Sequence, residues 1–173
     1  MDTVDKAKAA MGGFEKFISG LPGIKGYREK ELRRDADKQV RDQLARELTE
    51  RRARITALQS ELLAAGGLLW LDDIERAVGR LQLLIDRIKT AARGYAGFFN
   101  LQRVKEAELE RLANFDQALF DNLPKLDEAL AALTAAVGAN EGIQEAIKAL
   151  ADLLAGMNET FGRRIEAIRG RET

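Results

Sequence analysis

The side chains that could do chemistry in this sequence are carboxylates, lysines, arginines, tyrosines and hydroxyls, because its 173 residues include no histidine and no cysteine. That composition excludes Ser-His-Asp and Cys-His nucleophiles, zinc held by thiolate or imidazole, haem ligated by either, and iron–sulfur clusters. A diiron carboxylate bundle is excluded too, since it needs Glu-x-x-His. Among the carboxylates, Asp72 and Asp73 are explained by a helix start, where the macrodipole favours negative charge. Glu106, Glu108 and Glu110 recur at steps of two, which on a helix point to different sides. An oxygen-only magnesium or calcium site is the metal chemistry left open, but no EF-hand spacing occurs, and no glycine pattern matches a P-loop or dinucleotide fingerprint. Asn158-Glu159-Thr160 matches a glycosylation sequon and reads as a chance match inside a helix. The expectation is no catalytic residue, no cofactor and no metal.

Two surfaces remain as candidates for binding. Val4, Met11, Phe14, Phe17 and Ile18 form an apolar stripe on an amphipathic segment spanning about 2–19, suited to core packing, a partner's groove or a membrane interface. The second lies in the run 28–54, with ten basic and seven acidic residues, where Arg33, Arg34, Arg51, Arg52 and Arg54 mark a charged interaction surface. Its acids are interleaved and it lacks the aromatic platforms of single-strand binding, so nucleic acid is not expected as a partner. The balance of 28 basic against 28 acidic groups agrees with that. The balance hides a division, however: residues 1–105 sum to +6, 106–159 to −8 and 160–173 to +2. Such asymmetry is satisfied either by pairing a basic helix with an acidic one inside a bundle or by head-to-tail association of chains.

The elements that position these residues are helical. Ala, Leu, Glu, Arg and Lys dominate, the chain has only two prolines, and no stretch alternates as a strand would. After the first segment, Gly20, Pro22, Gly23 and Gly26 form a connection, and a long charged helix follows from about Tyr27 to Leu63. Five acid-before-base pairs at i,i+4 support it, such as Glu47/Arg51 and Glu50/Arg54. Its stripe of Leu32, Ala36, Val40, Leu44 and Leu48 is thin and drifts, so its first half is expected to project or pack loosely. Gly66-Gly67 ends it. Asp72 with Glu75 reads as an N-cap and capping-box partner for a third helix, which is expected to end at the run Gly94 to Phe99. Trp70 at one end and Tyr95, Phe98 and Phe99 at the other read as end caps, too far apart to form one pocket. A further segment, about 101–121, meets Pro124, which either kinks it or opens a new helix; a break at 138–142 precedes a last helix over about 142–169.

These signals predict an all-α fold, an antiparallel helical bundle of about four main helices with an N-terminal amphipathic helix and one long charged helix. The division expected is 1–26 as an arm and linker and 27–173 as the bundle domain. The run Leu21-Pro22-Gly23-Ile24-Lys25-Gly26-Tyr27-Arg28-Glu29-Lys30-Glu31-Leu32-Arg33-Arg34-Asp35-Ala36-Asp37 resembles a segment of uncharacterised bacterial all-helical proteins, which implies a bacterial origin and no particular activity. In layout, the short amphipathic helix, Pro-Gly turn and long charged helix are similar to phage-shock protein A and its membrane-remodelling relatives. Those continue as long coiled-coil hairpins where glycines interrupt this chain, so no residue role carries over. The functional expectation is a non-enzymatic interaction or scaffold protein, self-associating or bound to a protein partner. The alternatives are peripheral membrane binding through the first helix and, less favoured, a carboxylate-based enzyme or small-ligand bundle. With no apolar run approaching membrane-spanning length and no signal-peptide pattern at the start, the expected location is cytoplasmic, at the inner face of the membrane for the second reading.

Overall fold

The computed structural model describes residues 30–98 and 106–169, with side chains described over 38–91 and 114–166. Four helices make up the described chain: α1 Lys30–Ala64, α2 Leu71–Phe98, α3 Glu106–Ala139 and α4 Ile143–Arg169, with one 3-10 turn at Leu68–Trp70 before α2. The fold is an all-α helical bundle, as the apolar spacing predicts. The first helical segment expected from sequence lies outside the described residues.

Each long helix contributes one buried stripe. Val40, Leu44, Leu48, Ile55, Leu58 and Leu62 of α1 meet Ile74, Leu81, Leu84 and Ile88 of α2, Leu119, Leu126, Leu130 and Leu133 of α3, and Ile147, Leu154, Met157 and Phe161 of α4 in one core. The main packing pairs are α1 with α2, α3 with α4, α2 with α4, and α1 with α3, so the order round the bundle is α1, α2, α4, α3. Short turns make α1/α2 and α3/α4 antiparallel hairpins. Across them, Arg80 bonds to Ala151 and Arg87 to Asn158, numbers that rise together, so α2 and α4 run parallel, and hence α1 and α3 do also.

The two hairpins repeat one layer pattern. Adding 75 to Leu44, Ala45, Leu48, Ile55 and Leu58 gives Leu119, Phe120, Leu123, Leu130 and Leu133, all buried. Adding 73 to Ile74, Ala77, Leu81, Leu84 and Ile88 gives Ile147, Leu150, Leu154, Met157 and Phe161, again all buried.

Two details depart from the sequence expectations, the packing of α1 and the start of α2. Far from packing loosely, α1 is buried along its inner face from Val40 onward. Its stripe reads as thin because the core-facing slot between Leu48 and Ile55 holds Arg51, whose side chain is only 13% exposed. Asp72 is not an N-cap: α2 begins at Leu71, with Asp72 and Asp73 inside its first turn, and the Glu75 carboxylate accepts a bond from Gln59 instead of capping. α2 ends at Phe98, within the run Gly94 to Phe99 where its end was expected, and α3 passes through Pro124, so no new helix opens there.

Candidate functional site

The site is best approached from the turns, because the two hairpins close in the same way and then differ. In the first, Gly67 N–H donates to Leu62 O at 2.8 Å and Gly66 N–H to Leu63 O at 3.1 Å. In the second, Glu141 N–H donates to Ala136 O at 3.1 Å and Asn140 N–H to Val137 O at 3.2 Å. Both are Schellman caps, with the left-handed position filled by Gly66 (φ 78°) and Asn140 (φ 53°). Beyond the caps the paths diverge. Leu58 to Ile74 covers 16 positions and the matching Leu133 to Ile147 covers 14, so the first tip is longer by two. It is the longer tip that carries Leu68 and Leu69, 69% and 77% exposed, with Leu63 exposed beside the cap. Trp70 is half-buried and packs onto the core, in the end-cap role expected for it. The second tip reaches the core through Gly142 and Ile143, with no large apolar side chain exposed.

The leucines sit in an acidic frame. From 55 to 75 the chain has Glu61, Asp72, Asp73 and Glu75 and no lysine or arginine, and the second turn adds Glu141 and Glu145. The nearest cation after the tip, Arg76, is drawn to Asp73 at 3.2 Å. This end of the bundle therefore presents an apolar knuckle with negative charge around it.

Elsewhere the polar groups are engaged in holding the helices together. Arg51 and Arg54 of α1 each bond the Asp127 carboxylate of α3 at 2.6 Å, and Arg51 also reaches Glu47 at 2.8 Å. Burial works against the Arg51 charge, but the two carboxylates outweigh it and hold its pKa above the ordinary arginine value. Likewise desolvation opposes the charge on Asp127, and its bonds to Arg51 and Arg54 overcome this and hold its pKa below the ordinary carboxylate range. Between α3 and α4, Arg164 is fully buried and donates from Nε to Asp116 Oδ1 at 2.6 Å and from Nη2 to Oδ2 at 3.1 Å, a bidentate pair. Arg41 of α1 is buried as well. Between α2 and α4, Asn158 donates its amide to the carbonyls of Arg80 and Leu154, both at 3.0 Å, while its own backbone and side-chain oxygens accept from Arg87. Arg87 and Arg164 also approach the Phe161 ring, at 5.5 and 5.8 Å from its centroid.

Of the surfaces singled out in the sequence, Val4, Met11, Phe14, Phe17 and Ile18 lie outside the described residues. Arg33 and Arg34 lie near the start of α1, and their side chains are outside the described ones. Arg51 and Arg54 are joined to Asp127, and Arg52 lies half-buried on the same helix. The structure thus brings the basic helix to the acidic one inside the bundle at this point. Sequence reasoning missed the exposed leucine tip, although a signal was present: two leucines directly after a glycine pair, before the next helix start. Among the described residues no cluster of three or more Asp or Glu is placed to hold a metal ion, and no helix is long and apolar enough to cross a membrane. No family model matches this chain, and comparison with curated proteins and with solved structures gives no match.

Proposed function

We propose that this chain is a non-enzymatic helical interaction module that binds a protein partner or copies of itself through the Leu68–Leu69 tip, acting in the cytoplasm. The observation that carries the reading is the contrast between the turns. The second hairpin closes the same layers with the same cap and exposes no large apolar side chain, so the fold does not require the leucines of the first. A cluster of exposed apolar side chains that the fold does not need is what an interaction surface looks like, whereas a single exposed leucine is ordinary. An enzyme or ligand-binding bundle would call for several carboxylates converging on a pocket, whereas the buried carboxylate among the described residues, Asp116, is already chelated by Arg164. The test is site-specific photo-crosslinking in the organism that makes the protein, with a photoreactive amino acid replacing Leu69. A recurrent crosslinked protein that disappears when Leu68→Ser is added supports the reading. Crosslinking no greater than from the exposed position Ala135 overturns it.

A further inference from the structure

Taking the tip as a binding surface, we propose that its occupant is a different, folded protein presenting an apolar cleft rimmed by lysine or arginine. The shape of the tip comes first. A leucine lining a groove is shielded by the groove's walls, whereas Leu68 and Leu69 are each more than two-thirds exposed and Leu63 nearly half. They form a knob, so the hollow has to come from the occupant. Charge comes second. Because α1 and α3 run parallel, both turns stand at one end of the bundle, and Glu61, Asp72, Glu75, Glu141 and Glu145 are all exposed there. Asp73 is paired with Arg76, but none of those five has a cationic partner among the described residues. Knob and frame together call for an apolar hollow with positive charge at its edge.

The same features disfavour the other occupants. A second copy meeting tip to tip sets acid against acid and knob against knob. Away from the tip, the large apolar side chain exposed among the described residues is Leu83 alone, so the described surface of this chain offers no cleft to receive the leucines. An anionic lipid surface repels the frame. The expected contact is small, with three leucines at its centre, and therefore transient. Its rim charges steer the encounter, so association slows as salt is added.

The test uses the full chain in the organism that makes it, with a photoreactive amino acid replacing Leu69. Glu61→Lys with Glu141→Lys inverts one exposed carboxylate on each turn. Asp86→Lys with Glu166→Lys makes the same change in net charge more than about 20 Å along α2 and α4 from the tip, also at exposed positions. The first pair should lower the yield of the partner adduct about tenfold, and the second should leave it unchanged. Mass spectrometry of the adduct locates the partner's cleft. In a purified pair, changing the nearest partner cation to Glu should restore binding to the chain carrying Glu61→Lys and Glu141→Lys. If that double variant loses its helicity by circular dichroism, Glu61→Lys alone should still lower the yield, since the last turns of a helix favour a cation. An adduct that survives the frame reversal, or falls equally with the control pair, overturns the proposal and leaves the interaction-module reading standing. An adduct between two copies of this chain overturns it in favour of self-association. Co-sedimentation with phosphatidylcholine vesicles containing phosphatidylserine, lost with Leu68→Ser, overturns it in favour of a membrane. Absence of any adduct that depends on Leu68 removes both the proposal and the reading it rests on.

Discussion

At the scale of single residues, the bundle uses arginine where a leucine would be expected. Arg164 is fully buried and Asp116 nearly so, which makes their pair sensitive to the loss of either partner. Asp116→Asn should destabilise by about 3–5 kcal/mol, because it takes the charge out of a buried bidentate ion pair, whereas changing both residues to well-fitting apolar ones should be near neutral or stabilising. Denaturant unfolding of the single and double variants checks both statements. Asp127 is different because it is partly exposed and screened. Asp127→Asn should cost only about 0.5–1 kcal/mol at neutral pH. Its folded pKa lies below the unfolded value, so its contribution is complete above the ordinary carboxylate range and is lost as pH falls through the depressed folded pKa. The gap between wild type and Asp127→Asn should therefore narrow in acid, as stability curves measured at a series of pH values will reveal. None of these partners was legible in the sequence. Arg51 read as part of a charged interaction surface, with pairing of a basic and an acidic helix left open, because Asp127, which makes its half-buried position tolerable, is 76 residues away.

At the scale of elements, most boundaries were legible, and the course of the chain at Pro124 was left open between a kink and a new helix. Gly66-Gly67 and Asn140 mark helix ends because a left-handed residue is needed there, a requirement local enough to be written in two or three residues. Gly94, Gly97 and Pro124 carry the same kind of punctuation and yet lie inside helices. At Pro124 the reason is visible: Leu119, Leu123, Leu126 and Leu130 are buried on both sides of it, so tertiary packing carries the helix past the missing hydrogen bond. The glycines of α4 divide by their neighbours. An added methyl at Gly156 meets nothing within 4 Å, so Gly156→Ala should stabilise by about 0.5–1 kcal/mol. At Gly162 it would stand 3.3 Å from the Arg87 guanidinium, which Asn158 holds in place. Gly162→Ala should forfeit that gain, and thermal melts of the two variants side by side will show the difference.

At the scale of the whole molecule, the charge division along the chain is re-sorted by the fold. Read linearly, a basic first portion faces an acidic 106–159 segment; in space, Arg51 and Arg54 meet Asp127 across α1 and α3, and an acidic excess stands at the two turns. Both turns are acidic, with six carboxylates over 55–75 and 138–147 and no cation in either, leaving +6 for the rest of the chain. The bundle and its helix order follow from stripes that any amphipathic reading finds, but the exposed knuckle emerges only when the two turns are laid over each other in register. The molecule also carries its own reporter of that knuckle. Trp70 is the single tryptophan, and it lies half-buried directly beside Leu69 at the tip. Its fluorescence therefore comes from one place, and whatever covers the leucines will displace water from the indole and shift its emission to the blue without any label being added.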